Sequence, residues 1–208
     1  MEKTKNKEKN TGVKDINRFF FPNEWISFLK EIDKPKIKNK LLYELQFQTG
    51  ARFNEVLHLR PIDFDFERSN VRLWKTKTKA KKGEKIGKPR TISLSTDFSR
   101  KMKRFCNGKE RDAYLFKVTQ AGYNQLLKNK IKKLGIKDYY NFSSHNIRKT
   151  HGMYLKALGI DIAEICTRLG HDYNTYIQHY GSADIFSEKD MRSIRDLLGD
   201  LYFRSRRF

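Results

Sequence analysis

Leu169-Gly-His-Asp-Tyr-Asn-Thr-Tyr-Ile-Gln-His-Tyr180 is the stretch on which the reading of this chain turns. Gly170 stands where a left-handed residue closes a helix, and upstream Asp161 with Glu164 three places on has the form of a capping box. A helix over 161–169 is therefore predicted, followed by a second over 174–180. Tyr176 and Tyr180, four apart, share a face of that second helix, while Tyr180 lies nine positions beyond His171. Read structurally, the tyrosines pack a helix onto a core. Read chemically, the segment sets a phenol near an imidazole.

Working outward, Ser144-His-Asn-Ile-Arg-Lys-Thr-His-Gly152 opens a helix predicted over 145–158, with Ser144 as its cap. His145 and Arg148, three apart, then face the same way. Thr49-Gly-Ala-Arg-Phe-Asn-Glu-Val-Leu57 is a third polar island, a turn that presents Arg52 ahead of a short helix near 54–59. Further helices are predicted from the apolar spacing of Trp25, Ile26, Phe28 and Leu29, ending near Asp33-Lys34-Pro35, and over 37–48, 96–106, 120–134 and 188–199. Asn70–Trp74 and Arg90–Leu94 alternate as strands, and the Lys/Gly-rich segment between them reads as the long tip of a β-hairpin. The fold class expected is mainly α with a small antiparallel sheet.

The chain holds 45 Lys and Arg against 24 Asp and Glu, a net charge of +21 spread along its 208 residues, so a polyanion is the natural partner. A solvated, Lys-rich surface is the bland alternative, but such surfaces usually carry enough carboxylate to keep the net charge modest. No apolar run long enough to span a bilayer exists, and the basic N-terminus is followed by no apolar signal region, which places nucleic acid ahead of membrane and points to a cytoplasmic, nucleoid-associated setting. Cys106 and Cys166 are far apart, so neither a disulfide framework nor a thiolate zinc site is indicated. Pairing His145 with His151, or His171 with His179, supplies no recognisable metal set, and no Gly-rich nucleotide loop is present; no cofactor is expected.

Taken together and in this order, the three islands and the hairpin resemble the tyrosine recombinase or phage integrase family over roughly residues 20–185. The family pattern has an Arg in a Thr-Gly-x-Arg-x-x-Glu turn, a hairpin Lys, a His-x-x-Arg helix, a Leu-Gly-His segment and a Tyr nine residues later. Arg52, His145, Arg148, His171 and Tyr180 fill those slots. The resemblance implies metal-independent cleavage and rejoining of double-stranded DNA through a 3′-phosphotyrosyl bond. Tyr180 would be the nucleophile, with Tyr176 the competing phenol and Tyr173 behind it. Lys77 would be the general acid, with Lys75 second, and Lys75, Lys79, Lys81, Lys82 and Lys149 would contact DNA. The physical logic agrees: two guanidinium forks can bind the non-bridging phosphate oxygens, and a phenol needs positive charge or a proton acceptor to become nucleophilic.

The organisation expected is a flexible basic tail over 1–18, a catalytic domain over 19–186, and a C-terminal helix with basic tail over 187–208. That helix either docks on its own domain or on a neighbour within a homo-tetramer assembled on DNA. With only the tail and one or two helices ahead of the first island, DNA binding is expected to rest on phosphate contacts and to weaken steeply with salt. The rivals are a type IB topoisomerase-like relaxation enzyme and a non-catalytic basic DNA-binding protein that keeps the fold.

Overall fold

A computed structural model of the protein describes residues 18–32, 37–74, 89–180 and 185–201. Its helices are α1 (Pro22–Ile32), α2 (Ile37–Thr49), α3 (Phe53–Leu57), α4 (Thr96–Cys106), α5 (Gln120–Lys133), α6 (Ser144–Ala157), α7 (Ile162–Leu169), α8 (Tyr173–Tyr180) and α9 (Glu188–Leu198). The strands β1 (Phe64–Asp65), β2 (Asn70–Leu73) and β3 (Arg90–Ser93) form one antiparallel sheet in that order. The mainly helical architecture with a small antiparallel sheet is the one expected. No described helix is long and apolar enough to cross a membrane.

Local chemistry sets the helix ends. The Ser95 hydroxyl accepts from the Phe98 N–H at 3.4 Å to start α4, and the Thr119 hydroxyl from the Gly122 N–H at 3.1 Å to start α5. At α7 the Asp161 carboxylate accepts from the Ala163 and Glu164 N–H groups at 2.8 and 3.3 Å, and Gly170, with φ +64°, ends the helix in the left-handed region. The cap of α6 is Ser143, not Ser144. Ser143 Oγ accepts from the His145 N–H at 3.3 Å while Asn146 Oδ1 accepts from the Ser143 N–H at 2.8 Å, a reciprocal pair that draws the helix start one residue earlier.

β2 and β3 pair with Val71 opposite Ile92, and Val71, Leu73 and Ile92 all face the core. The third strand, β1, escaped the sequence reading because two residues cannot display an alternation. The base of the expected hairpin is present; residues 75–88 at its tip, with Lys75, Lys77, Lys79, Lys81 and Lys82, lie outside the described residues, as do residues 1–17 of the expected tail.

The core is unusually aromatic. Phe20, Trp25, Phe28, Phe47 and Phe142 interlock with ring centroids 4.6 to 5.6 Å apart, joining α1, α2 and the approach to α6. At its centre, α2 and α6 are enclosed on nearly every side, so their polar residues must find partners inside the protein. α9 lies against its own domain, with Ile194 and Leu198 buried, the Gln48 amide donating to the Leu197 carbonyl at 3.0 Å, and Asp200 accepting from the Thr96 N–H at 2.7 Å.

Candidate active site

Three turns converge at the open end of the α2–α6 pair. The first follows α2, where Gly50 adopts φ +60°; a Cβ there would sit 2.6 Å from the rings and methyls of His151 and Leu169, so only glycine fits. That turn delivers Arg52 to the start of α3. Its Nη2 donates to the Gly170 carbonyl at 3.2 Å, and its side chain remains 36% exposed. Arg52 thus bridges the first turn to the third while facing outward.

Glu55 explains why Arg52 is not neutralised. Its buried carboxylate accepts from the Arg52 backbone N–H at 2.8 Å, but its main partner is Arg90 of β3, whose two Nη atoms donate to it at 2.8 and 2.7 Å. The Arg52 guanidinium approaches Glu55 only to 3.5 Å. Arg90 Nε also donates to the Arg168 carbonyl at 3.0 Å, which ties the hairpin base to both turns. The role of Arg90 was missed in the sequence, because the strand alternation that includes it says nothing of a partner 35 positions away.

Arg148, on α6, is 2% exposed and donates to the Gly50 and Leu169 carbonyls. Burial, and then the charge of Arg52, lower its pKa to about 10, which still leaves it charged at neutral pH. A guanidinium has five N–H donors, so two fixed to backbone leave others for a ligand. One turn earlier, His145 stands at the rim, its outer edge exposed. Enclosure of the rest of its ring, together with Arg148, His179, Lys149 and Arg52, pushes its pKa down to about 4. His171, in the turn after Gly170, is pushed down to about 4 as well, by burial and then by Arg148 and Arg52. Its Nδ1 is buried without a partner, which leaves Nε2 as the nitrogen that can meet an incoming group.

Tyr180 closes the site from α8. Its ring lies parallel to that of His171, 5.8 Å between centroids, and stacks on Tyr176 at 5.4 Å. Gly152 of α6 makes the room: a Cβ there would lie 2.5 Å from Tyr180 Cε1 and 2.8 Å from Cζ. Lys156 Nζ donates to the Tyr180 carbonyl at 2.6 Å, holding the C-terminal end of α8. Tyr180 is 2% exposed, and burial pushes its pKa up to about 12 against the pull of Arg148 and Arg52. Of the three tyrosines considered, Tyr180 is the one beside the guanidinium pair. Tyr176 is also raised by burial, but its electrostatic neighbours are Cys166 and Tyr173, and Tyr173 is 59% exposed.

Lys149, expected to contact DNA, is 2% exposed in this DNA-free structure, as is Arg148 beside it. His151 is structural: fully buried, it accepts from Arg168 Nε at 2.9 Å, and burial holds its pKa well below the usual histidine range. Among the described residues no group of three or more His, Cys, Asp or Glu side chains could hold a metal ion.

The sequence matches the phage integrase family over residues 18–185. Among curated proteins, it is 28% identical to the tyrosine recombinase XerA of Pyrococcus furiosus over 149 residues, covering 69% of this chain and 49% of that protein. It is 29% identical to transposase A from transposon Tn554 of Staphylococcus aureus over 174 residues, 73% of this chain and 46% of that protein. The chain spans about half the length of the curated relatives it matches. Among solved structures, the XerH site-specific recombinase bound to difH substrate in a pre-cleavage complex superposes with a TM-score of 0.61 at 23% identity, covering 88% of this chain and 55% of that one. A family match that begins where the described fold begins and runs past Tyr180 takes in all three converging turns, and this chain belongs to the phage integrase family.

Proposed function

We propose that the chain is the catalytic part of a tyrosine-type site-specific recombinase acting on double-stranded DNA. One observation carries the reading: the Tyr180 phenol is set against His171 in the field of both Arg52 and Arg148, all from one chain. In the reaction, Arg148 and Arg52 take the non-bridging oxygens of a phosphodiester and offset the charge that builds there. The Tyr180 oxygen bonds to phosphorus, and the bond from phosphorus to the 5′ oxygen breaks. The phosphoryl group stays on the 3′ side as a phosphotyrosine, and attack by a 5′ hydroxyl reverses the step.

The protonation states fit this order of events. With its pKa pushed up to about 12 by burial, Tyr180 is un-ionised at pH 7, and its proton leaves as the phosphorus–oxygen bond forms. His145 and His171, held at about 4, are neutral at that pH, so a neutral imidazole is available for each role the resemblance assigns: His145 to accept the proton and His171 to hydrogen-bond a phosphoryl oxygen. The leaving 5′ oxygen takes its proton from the hairpin lysine assigned by resemblance, Lys77, or Lys75 in its place. Exchange between two duplexes breaks four strands, and one nucleophile for each gives a homo-tetramer on DNA. The names of the relatives, a recombinase and a transposase, support strand transfer over simple relaxation.

The test is covalent capture. A labelled pool of nicked duplexes with a randomised core is incubated with the protein and resolved on a denaturing gel, and the trapped DNA is sequenced. The wild type is expected to form an adduct that Tyr180→Phe does not. An adduct that persists in that variant assigns the nucleophile elsewhere. Sedimentation with the recovered sequence then reads the assembly state.

A further inference from the structure

We propose that Gln46 is a positioning residue that holds the Arg52 turn and the His145 end of α6 in register; the inference rests on the function proposed above. Gln46 lies on the enclosed face of α2 and is 1% exposed. Its Nε2 donates to the Ala51 carbonyl at 3.2 Å and to the Ser144 carbonyl at 3.0 Å, and these residues immediately precede Arg52 and His145. Its Oε1 accepts from the Tyr123 hydroxyl of α5. The two carbonyls fix which end of the amide is which: reversing it would set its oxygen against two acceptors, so a single orientation survives.

The residues Gln46 holds are gripped from a second side. The Ala51 N–H donates to Thr49 Oγ1 at 3.2 Å, and the Ser144 N–H donates to Asn124 Oδ1 at 2.9 Å. Ala51 and Ser144 are therefore fixed at both backbone groups, and Gln46 is the side chain common to the two. An amide in a dry interior costs desolvation free energy that only such bonds offset, whereas a leucine of similar volume would pack there without that cost. What the amide adds is a defined separation between chain segments that packing alone would hold less sharply. That separation governs how the phosphate clamp at Arg52 faces the proton acceptor at His145, a geometry in which small misplacement is expensive.

The experiment compares wild type, Gln46→Leu and the double variant Gln46→Leu/Tyr123→Phe on the sequence recovered from the nicked pool. It reads the single-turnover rate of adduct formation, the thermal midpoint, and duplex affinity in a Tyr180→Phe background. For Gln46→Leu the rate is expected to fall on the order of 10²-fold while affinity stays within about twofold. The double variant, which also removes the stranded hydroxyl, is expected to regain part of the thermal midpoint without regaining the rate. A rate that returns along with the midpoint, or that never falls, overturns the positioning role while leaving the proposed function intact. If the wild type forms no adduct, the functional reading fails, and this inference with it.

Discussion

At the scale of single residues, Arg148 does two things that a lysine cannot do together. Its guanidinium joins the Gly50 and Leu169 carbonyls and still presents donors to a ligand. Arg148→Lys keeps the charge but not the fork, and the single-turnover cleavage rate is expected to fall by about 10²- to 10³-fold. A loss below about tenfold would show that charge alone suffices there. The two imidazoles make a separate prediction. An ordinary histidine titrates at about 6.5, whereas His145 and His171 are held down at about 4. Their ring-proton resonances should keep neutral-imidazole shifts from pH 8 to about 5 and move only near about 4. The sign for stability follows. As the pH falls below about 6.5, the unfolded chain binds these protons before the folded one, so stability is lost between there and about 4 and retained above. A midpoint near 6 to 7 for either ring in the folded protein would contradict the enclosure described for it.

Among the structural elements, α8 depends on a gap in α6. Gly152→Ala puts a methyl group 2.5 Å from the Tyr180 ring. Alanine favours a helix interior over glycine by about 1 kcal/mol, so any fall in the thermal midpoint must come from displacing the ring. The cleavage rate is expected to fall on the order of tenfold or more with helix content unchanged, which circular dichroism and the nicked substrate read together. An unaltered rate would mean that Tyr180 reaches phosphate from another position. This dependence also shows where sequence reading stops. The ends of α4, α5, α7 and α9 follow from caps and apolar spacing, and the resemblance to the family pattern is what singles out Arg52, His145, Arg148, His171 and Tyr180 in the sequence. α2 and α6 are enclosed on nearly every side, so no broad polar face marks their orientation; the burial of Lys149 was not legible for that reason, and Gln46 drew no notice. Glu55 stands three positions after Arg52 in the sequence, but its partnership with Arg90 depends on the sheet folding back against α3. Pairings between distant segments leave no local period to detect.

On the scale of the whole molecule, the net charge of +21 has to be weighed against where the anions are. Glu55 is buried on Arg90, Asp63 is buried beside Arg60, and Glu31 lies between Lys130 and Lys133, so several of the chain's carboxylates are committed to cations already. Cations elsewhere on the surface remain to meet a polyanion, and phosphate contacts made by exposed side chains release condensed counterions when they form. Binding in Tyr180→Phe, which keeps the aromatic ring but cannot form the covalent bond, isolates this term. Affinity for a duplex of arbitrary sequence is expected to fall on the order of 10³-fold between about 50 and about 200 mM salt, as for six or more phosphate contacts. Charge spread over the surface also predicts that no single exposed lysine dominates: each substitution should weaken binding modestly and make the salt slope shallower by about one. An affinity nearly independent of salt would mean that something other than phosphate holds the duplex, and the excess positive charge would then need a different explanation.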